Sequence, residues 1–204
     1  MAAVGEPAEA PDDRSADDGD ALVAAAAGGD EDALVALYRD LHPRLCRYLA
    51  HLVPDEAEDL ASETWVALVG RFGSVTGGVA GVRRLAFTIA RRRAIDLRRR
   101  RARRRTDPAP TEVLAARPTA ARVDPAVVAV DDLSARDAVA LLVDHLPAEW
   151  AEVVLLRVVG GLSAVEVGRL TGRSPGAVRV LQHRAVARLA ERLDHGDGTI
   201  QAKA

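Results

Sequence analysis

The chain has 204 residues, 28 Lys and Arg against 30 Asp and Glu, a formal charge of −2, and a 49% hydrophobic share of which aromatics are a small part at 3%. That length holds one or two small domains, and an apolar fraction built from alanine and valine predicts small helical cores. With no run of 18 apolar residues and no secretory h-region, direct membrane insertion is not expected. A single cysteine, Cys46, excludes an internal disulfide, so a reducing cytoplasm is the expected location. The near-neutral total hides segregated charge. Residues 1–32 hold ten acids and one base, whereas Val82 to Arg105 holds twelve arginines and one acid, Asp96. Such asymmetry points to a nucleic-acid face balanced by acidic segments elsewhere.

In chain order, residues 1–20 lack periodicity and read as a disordered acidic leader. From Ala21 the spacing of Leu34, Leu37, Tyr38, Leu41, Leu45, Tyr48, Leu49 and Leu52 predicts one amphipathic helix, or two with a break near Pro43. Pro54 starts the next helix, which runs to about Gly70 with Asp55 and Glu56 in the first turn, where negative charge suits the helix dipole. Asp55, Asp59 and Glu63 follow one another at i, i+4 and i+8, and each like-charged pair costs roughly 0.2–0.5 kcal/mol. With Glu56 and Glu58 they form either a solvated acidic face or a docking surface for a basic partner, to which Leu60, Trp65 and Leu68 would add apolar contacts. His42 and Cys46 lie one turn apart, but no further Cys or His clusters in sequence to complete a zinc site, so the reading is a packed helix with no metal, no cofactor and no catalytic group.

Five glycines between Gly70 and Gly81 predict a loop, followed by a long basic helix. If Val82 to Arg105 is one helix, Val82, Leu85, Ala86, Ile89 and Ala90 share a buried face. Arg84, Arg91, Arg98 and Arg105 then recur every seven residues on the other side. Each step of seven advances roughly 10 Å, which lays out a cationic rail suited to a phosphate backbone with one charge per about 1.7 Å of duplex.

Residues 107–133 carry Pro108, Pro110, Pro118 and Pro125 among alanines and read as a linker. A second helical block covers 134–195, with a tail over 196–204. In it, Ser163 and Glu166 have the spacing of a capping box, Gly172 suits a left-handed helix end, and Ser174-Pro175 restarts a helix with an N-cap and a proline at its first position. That is a helix-turn-helix arrangement. Gly168 inside its first helix points to close approach of the second. On that second helix Val178, Leu181, Ala185 and Leu189 form the buried stripe, and Arg179, Val180, His183 and Arg184 face outward where a recognition helix meets base edges and phosphates. The expected fold is all-α, two small helical domains joined by a flexible linker, the C-terminal one a helix-turn-helix.

These parts, in this order, resemble the bacterial RNA polymerase sigma factors of the extracytoplasmic function group in the sigma-70 family. Glu56-Ala-Glu-Asp59-Leu60-Ala-Ser-Glu63-Thr-Trp65 resembles their polymerase-binding motif, with Ser62 in place of a glutamine and Trp65 in place of a phenylalanine. Val82 to Arg101 resembles their promoter-melting helix, with Leu85 where tryptophan is frequent and Arg92 where asparagine is frequent. Leu146 to Leu193 resembles their C-terminal region, with Val180 where serine is common. The resemblance implies sigma region 2 over 21–106 and region 4 over 134–195. It implies core polymerase binding by Asp55, Glu56, Glu58, Asp59, Leu60, Glu63 and Trp65 on the β′ clamp helices, with region 4 touching the β flap. It implies −10 DNA binding by Phe72, Ser74, Thr76, Arg84, Arg91, Arg92, Arg98 and Arg99, the loop residues lining a pocket for an unstacked base. It implies −35 DNA binding by Arg179, Val180, His183 and Arg184. Many members of the family are held inactive by a membrane-bound anti-sigma factor, so such a partner is among those implied. The competing reading is a free-standing helix-turn-helix regulator, which leaves the acidic helix and the rail unexplained.

Overall fold

The computed structural model describes residues 13–106 and 143–196, and all regular structure among them is helical. The first unit comprises α1 (Asp13–Ala27), α2 (Glu31–Leu52), a 3₁₀ turn (Pro54–Glu56), α3 (Ala57–Val69), a second 3₁₀ turn (Phe72–Ser74) and α4 (Gly78–Thr106). The second comprises a 3₁₀ turn (Val143–His145), α5 (Ala148–Val154) running on as a π turn (Leu155–Val159), α6 (Ala164–Thr171) and α7 (Pro175–Gly196). The expected linker and tail lie outside the described residues, apart from Gly196. No described helix is long and apolar enough to cross a membrane.

Two boundaries differ from expectation. The acidic leader was expected to reach residue 20, but the chain is helical from Asp13, and α1 packs along α4. The helical break falls at Gly28 and Gly29 rather than near Pro43, which sits inside an unbroken α2. A proline in a helix interior removes one hydrogen bond and costs about 3 kcal/mol or more. Burial of Leu37, Leu41, Leu45, Tyr48 and Leu49 on the same helix offsets this, and Arg44 Nε donates to the Asp40 carbonyl in the turn around Pro43 at 3.1 Å.

α4 begins four residues before Val82 and continues as one 29-residue helix, about 43 Å long. Its buried stripe is Val82, Ala86, Phe87, Ala90 and Ala94, whereas Leu85 and Ile89, expected in the core, are half-buried. The stripe is turned toward Phe87 because that ring packs on Tyr48 of α2, centroids 5.4 Å apart. Alanines at every fourth position let α4 approach α2 and α3 closely, so its arginines flank the contact, Arg83 and Arg93 reaching back to carboxylates of α2 and α3 while Arg92, Arg98 and Arg99 face outward. At the start of α4, a Cβ on Gly81 would lie 2.1 Å from the Thr76 carbonyl oxygen, so only glycine fits that turn.

In the second unit the local signals fold as read. Ser163 Oγ accepts from the Glu166 amide at 3.2 Å and the Glu166 carboxylate accepts from the Ser163 amide at 2.8 Å. Gly172 ends α6 at φ +72°, and Ser174 Oγ accepts from the Ala177 amide at 3.2 Å to open α7. Val178, Ala185 and Leu189 are buried, and Leu181, expected in the same stripe, is half-buried. A Cβ on Gly168 would stand 2.6 Å from the Arg173 carbonyl oxygen, so α6 presses on the turn itself. Gly168→Ala is therefore expected to destabilise the chain by about 1–3 kcal/mol despite alanine's better helix propensity. Chemical denaturation checks this, and an unchanged or raised midpoint would show that the turn is not tightly packed.

Candidate functional site

α3 carries the acidic face. Asp55, Glu58 and Asp59 are exposed, while Glu56 is paired with Arg101 and Glu63 with Arg93, both from α4. Leu60 and Leu68, expected as surface contacts, are buried and belong to the core. Trp65 is half-buried, edge-on to Tyr38 at 5.0 Å and to Phe72 at 6.0 Å. The apolar group that does face outward beside the acids is Val66, 74% exposed, with Val69 one turn on. Sequence reading missed Val66, although Asp55, Asp59, Ser62 and Val66 follow one another in helical steps of three and four.

Glu58 also reaches across to α2. Its Oε1 lies 2.8 Å from His42 Nε2 and its Oε2 accepts from the Cys46 thiol at 3.1 Å. These hydrogen bonds, that of Cys46 first, hold its carboxyl below the usual range. Burial, followed by the hydrogen bond to Glu58, pushes the Cys46 thiol well above its ordinary value. Tyr38 stacks on the His42 ring at 4.5 Å.

The basic face runs along α4. Arg92, Arg98 and Arg99 are exposed, as are Ser74 and Thr76 in the preceding loop. Phe72, expected to line a base pocket, is instead 3% exposed and packed against Trp65. Its ring supports the loop from beneath and cannot stack on a base without leaving the core. A cleft of about 730 Å³ is lined by Ser74, Val75, Thr76, Arg84 and Leu85 on one side and by Glu166 and Arg169 on the other. A second, of about 480 Å³, follows along Arg91, Arg92, Ile95 and Arg99. Both clefts are open to solvent and flanked by guanidinium groups, a setting suited to phosphate.

Arg84 and Arg91 are engaged by the second unit. Arg91 Nε donates to Glu152 Oε1 at 2.9 Å, and the Tyr48 hydroxyl donates to the same oxygen at 3.3 Å. Arg84 lies 3.5 Å from Glu166, the capping residue of α6. The pairing of Arg91 with Glu152 is half-buried, so salt screens it less than an exposed ion pair. On α7, Arg179, Val180, His183 and Arg184 are all exposed on the side opposite the buried stripe. Arg157 in the π turn donates to Gln182 at 2.9 Å and fixes α7 on its support.

Comparison with known proteins matches both units. Residues 37–104 match the sigma-70 region 2 family and residues 136–189 match sigma-70 region 4. The ECF RNA polymerase sigma factor ShbA of Streptomyces griseus is 36% identical over 179 residues, covering 83% of this chain and 92% of its own length. The ECF RNA polymerase sigma factor SigD of Mycobacterium tuberculosis is 33% identical over 180 residues, covering 85% and 83%. In fold, the sigma factor RpoE in complex with the anti-sigma factor NepR from Bartonella quintana superposes with a TM-score of 0.51 at 23% identity, covering 77% of this chain and 94% of that one. The region 2 match takes in the acidic and basic helices that a free-standing regulator would leave without a role. The chain belongs to the extracytoplasmic function sigma factors of the sigma-70 family, transcription initiation factors that bind core RNA polymerase and direct it to promoters.

Proposed function

We propose a division of this work among three faces. Asp55 in the turn before α3, with Asp59 and Val66 on α3, docks on the β′ clamp helices, with Glu58 at the rim. Ser74, Thr76, Arg84, Arg91, Arg92, Arg98 and Arg99 hold the opened −10 strand. Arg179, Val180, His183 and Arg184 read duplex −35 DNA in the major groove while α7 and its supports touch the β flap. Glu56 and Glu63 act through Arg101 and Arg93, fixing α3 on α4, and Trp65 backs the docking helix. The observation that carries this reading is the opposite charge of the exposed faces of α3 and α7, each backed by a buried apolar stripe. A cytoplasmic location follows from the work, and an anti-sigma factor that covers these faces is a further proposed partner.

The described arrangement is then a closed one. The −10 and −35 elements lie about 25 base pairs apart, on the order of 85 Å at about 3.4 Å per pair, yet Arg84 and Arg91 touch Glu166 and Glu152 of the second unit. Reading both elements requires the units to part, and DNA phosphates then take the place of the two carboxylates.

Three outcomes are expected. The double variant Asp55→Arg, Asp59→Arg should lose about tenfold or more in core polymerase affinity, about 1.4 kcal/mol, with an unchanged helical circular dichroism spectrum; core affinity equal to that of the parent chain would refute the docking assignment. Arg179→Ala and Arg184→Ala should each weaken −35 duplex binding by about 1–3 kcal/mol where the contact is bidentate and leave core binding intact; retained duplex affinity would move the reading surface elsewhere. Glu152→Lys places a cation beside Arg91, so the free chain should expand in small-angle X-ray scattering and bind DNA more tightly; an unaltered scattering profile would show that this pairing does not hold the units together.

A further inference from the structure

One cluster holds two residues, His42 and Cys46, that have no part in docking or DNA reading, together with Glu58 from the rim of the proposed docking face. His42 and Cys46 stand one turn apart on α2, and α3 delivers Glu58 to the same spot, so that one donor atom from each residue lies within 4.8 Å of the others. Zinc held at ordinary bond lengths by nitrogen, sulfur and oxygen has tetrahedral edges of about 3.3–3.6 Å. The observed separations are 3.5 Å for Cys46 Sγ to His42 Nε2, 3.1 Å for Sγ to Glu58 Oε2 and 2.8 Å for Nε2 to Oε1. Sulfur and imidazole meet different oxygens of Glu58, so a rotation of that carboxylate to bring one oxygen to both, with small shifts at the other two side-chain ends, opens room for an ion. The Glu58 side chain is free to adjust, since it is 71% exposed.

We propose that His42, Cys46 and Glu58 form a binding site for a divalent transition metal of the zinc class, with water as the fourth ligand. The donor set selects the ion: a thiolate beside an imidazole disfavours magnesium and calcium and suits zinc or cobalt. As the metal–sulfur bond forms, the thiol proton passes to solvent, the ion supplying the charge that keeps the sulfur ionised. Tyr38, stacked on the His42 ring, fixes the direction of Nε2. Nδ1 of His42 is buried without a hydrogen-bond partner, so no acceptor holds the far side of the ring as one usually does for a metal-bound histidine. Loss of such support typically weakens metal binding 10- to 100-fold, which makes this an exchangeable site rather than a permanent structural one. Because its ligands come from two helices, the ion clamps the start of α3 onto α2. The geometry does not depend on the polymerase-docking reading, and the test contains no polymerase.

The full chain, stripped of metal and kept reduced with a non-thiol reductant, is titrated with cobalt(II). Cys46 is the sole cysteine, so any cobalt–thiolate charge-transfer absorption reports on this site alone. The expected result is a saturable band at one equivalent, with the intense visible absorption of a four-coordinate ion, abolished by one equivalent of zinc and accompanied by a rise in melting temperature in excess zinc. Cys46→Ser should abolish the band and lower zinc affinity at least tenfold in competition with a chromophoric chelator. Glu58→Gln, at a largely exposed carboxylate, should lower zinc affinity at least tenfold as well. A parent chain without the band, or zinc affinity that survives Cys46→Ser and Glu58→Gln in folded protein, would overturn the assignment.

Discussion

The close seating of α4 on α2 and α3 is the constraint on which the other features rest. Ala86, Ala90 and Ala94 fill the contact with methyl groups alone, and Phe87 adds one large ring against Tyr48. A helix carrying this many arginines repels itself and frays when isolated. Here burial of the alanine side fixes the backbone, and carboxylates neutralise part of the charge: Asp40 faces Arg83, Glu63 faces Arg93 and Glu56 faces Arg101. Larger residues along the stripe would lift α4 from its neighbours and break those pairings together. The acidic helix thus serves two directions at once, with Glu56 and Glu63 turned inward to hold the basic helix and Asp55 and Asp59 turned outward.

That double use explains why the acidic cluster could not be sorted by spacing alone. Five acids crowd one 3₁₀ turn and the short helix after it, and nothing within them tells that Glu63 meets an arginine 30 positions on and Glu56 one 45 positions on. Leu60 and Leu68 were read as surface contacts because the side facing α2 and α4 was undefined until those helices were in place. Phe72 misled for a related reason: a phenylalanine in a glycine-rich loop looks available to a base, whereas Trp65 and the core claim it. The helix-turn-helix was legible to the level of single hydrogen bonds. Its determinants, the Ser163–Glu166 box, Gly172 and the Ser174 cap, act over three or four residues, and local chemistry of that range is written directly in the order of residues. Pairings such as Arg91 with Glu152, separated by 61 positions, have no local trace.

The contact between the two units is built from arginines that are proposed to hold the −10 strand. Arg91 and Arg84 have carboxylate partners at Glu152 and Glu166, and replacing those partners with phosphates exchanges one anion for another around each guanidinium. The exchange keeps the arginines compensated throughout, so the cost of opening lies in parting the apolar and backbone contacts around them, such as Arg44 with the Val159 carbonyl. Glu152 is left without Tyr48 and Arg91 when the units separate, but it then reaches water. Glu166 keeps its bond to the Ser163 amide in either state, so release of Arg84 does not unravel α6. The closed contact is therefore reversible by design of its chemistry: each residue it borrows retains a satisfied alternative.

Glu58 is where the two halves of the acidic face's work meet. Its carboxylate lies, largely exposed, at the rim of the proposed docking surface and is already held by His42 and Cys46, whose hydrogen bonds favour its ionised form. A divalent ion bound there adds two positive charges and removes one thiol proton, a net gain of one, within a turn of Asp55 and Asp59. At such separations on a protein surface, charges interact by a few kcal/mol at most and are weakened by salt. A basic partner meets a less negative helix when the ion is bound and a more negative one when it is not. The ligands sit on α2 and at the head of α3, outside the stripe that seats α4, so the ion acts on the charge of the docking face while the packing beneath it stays the same.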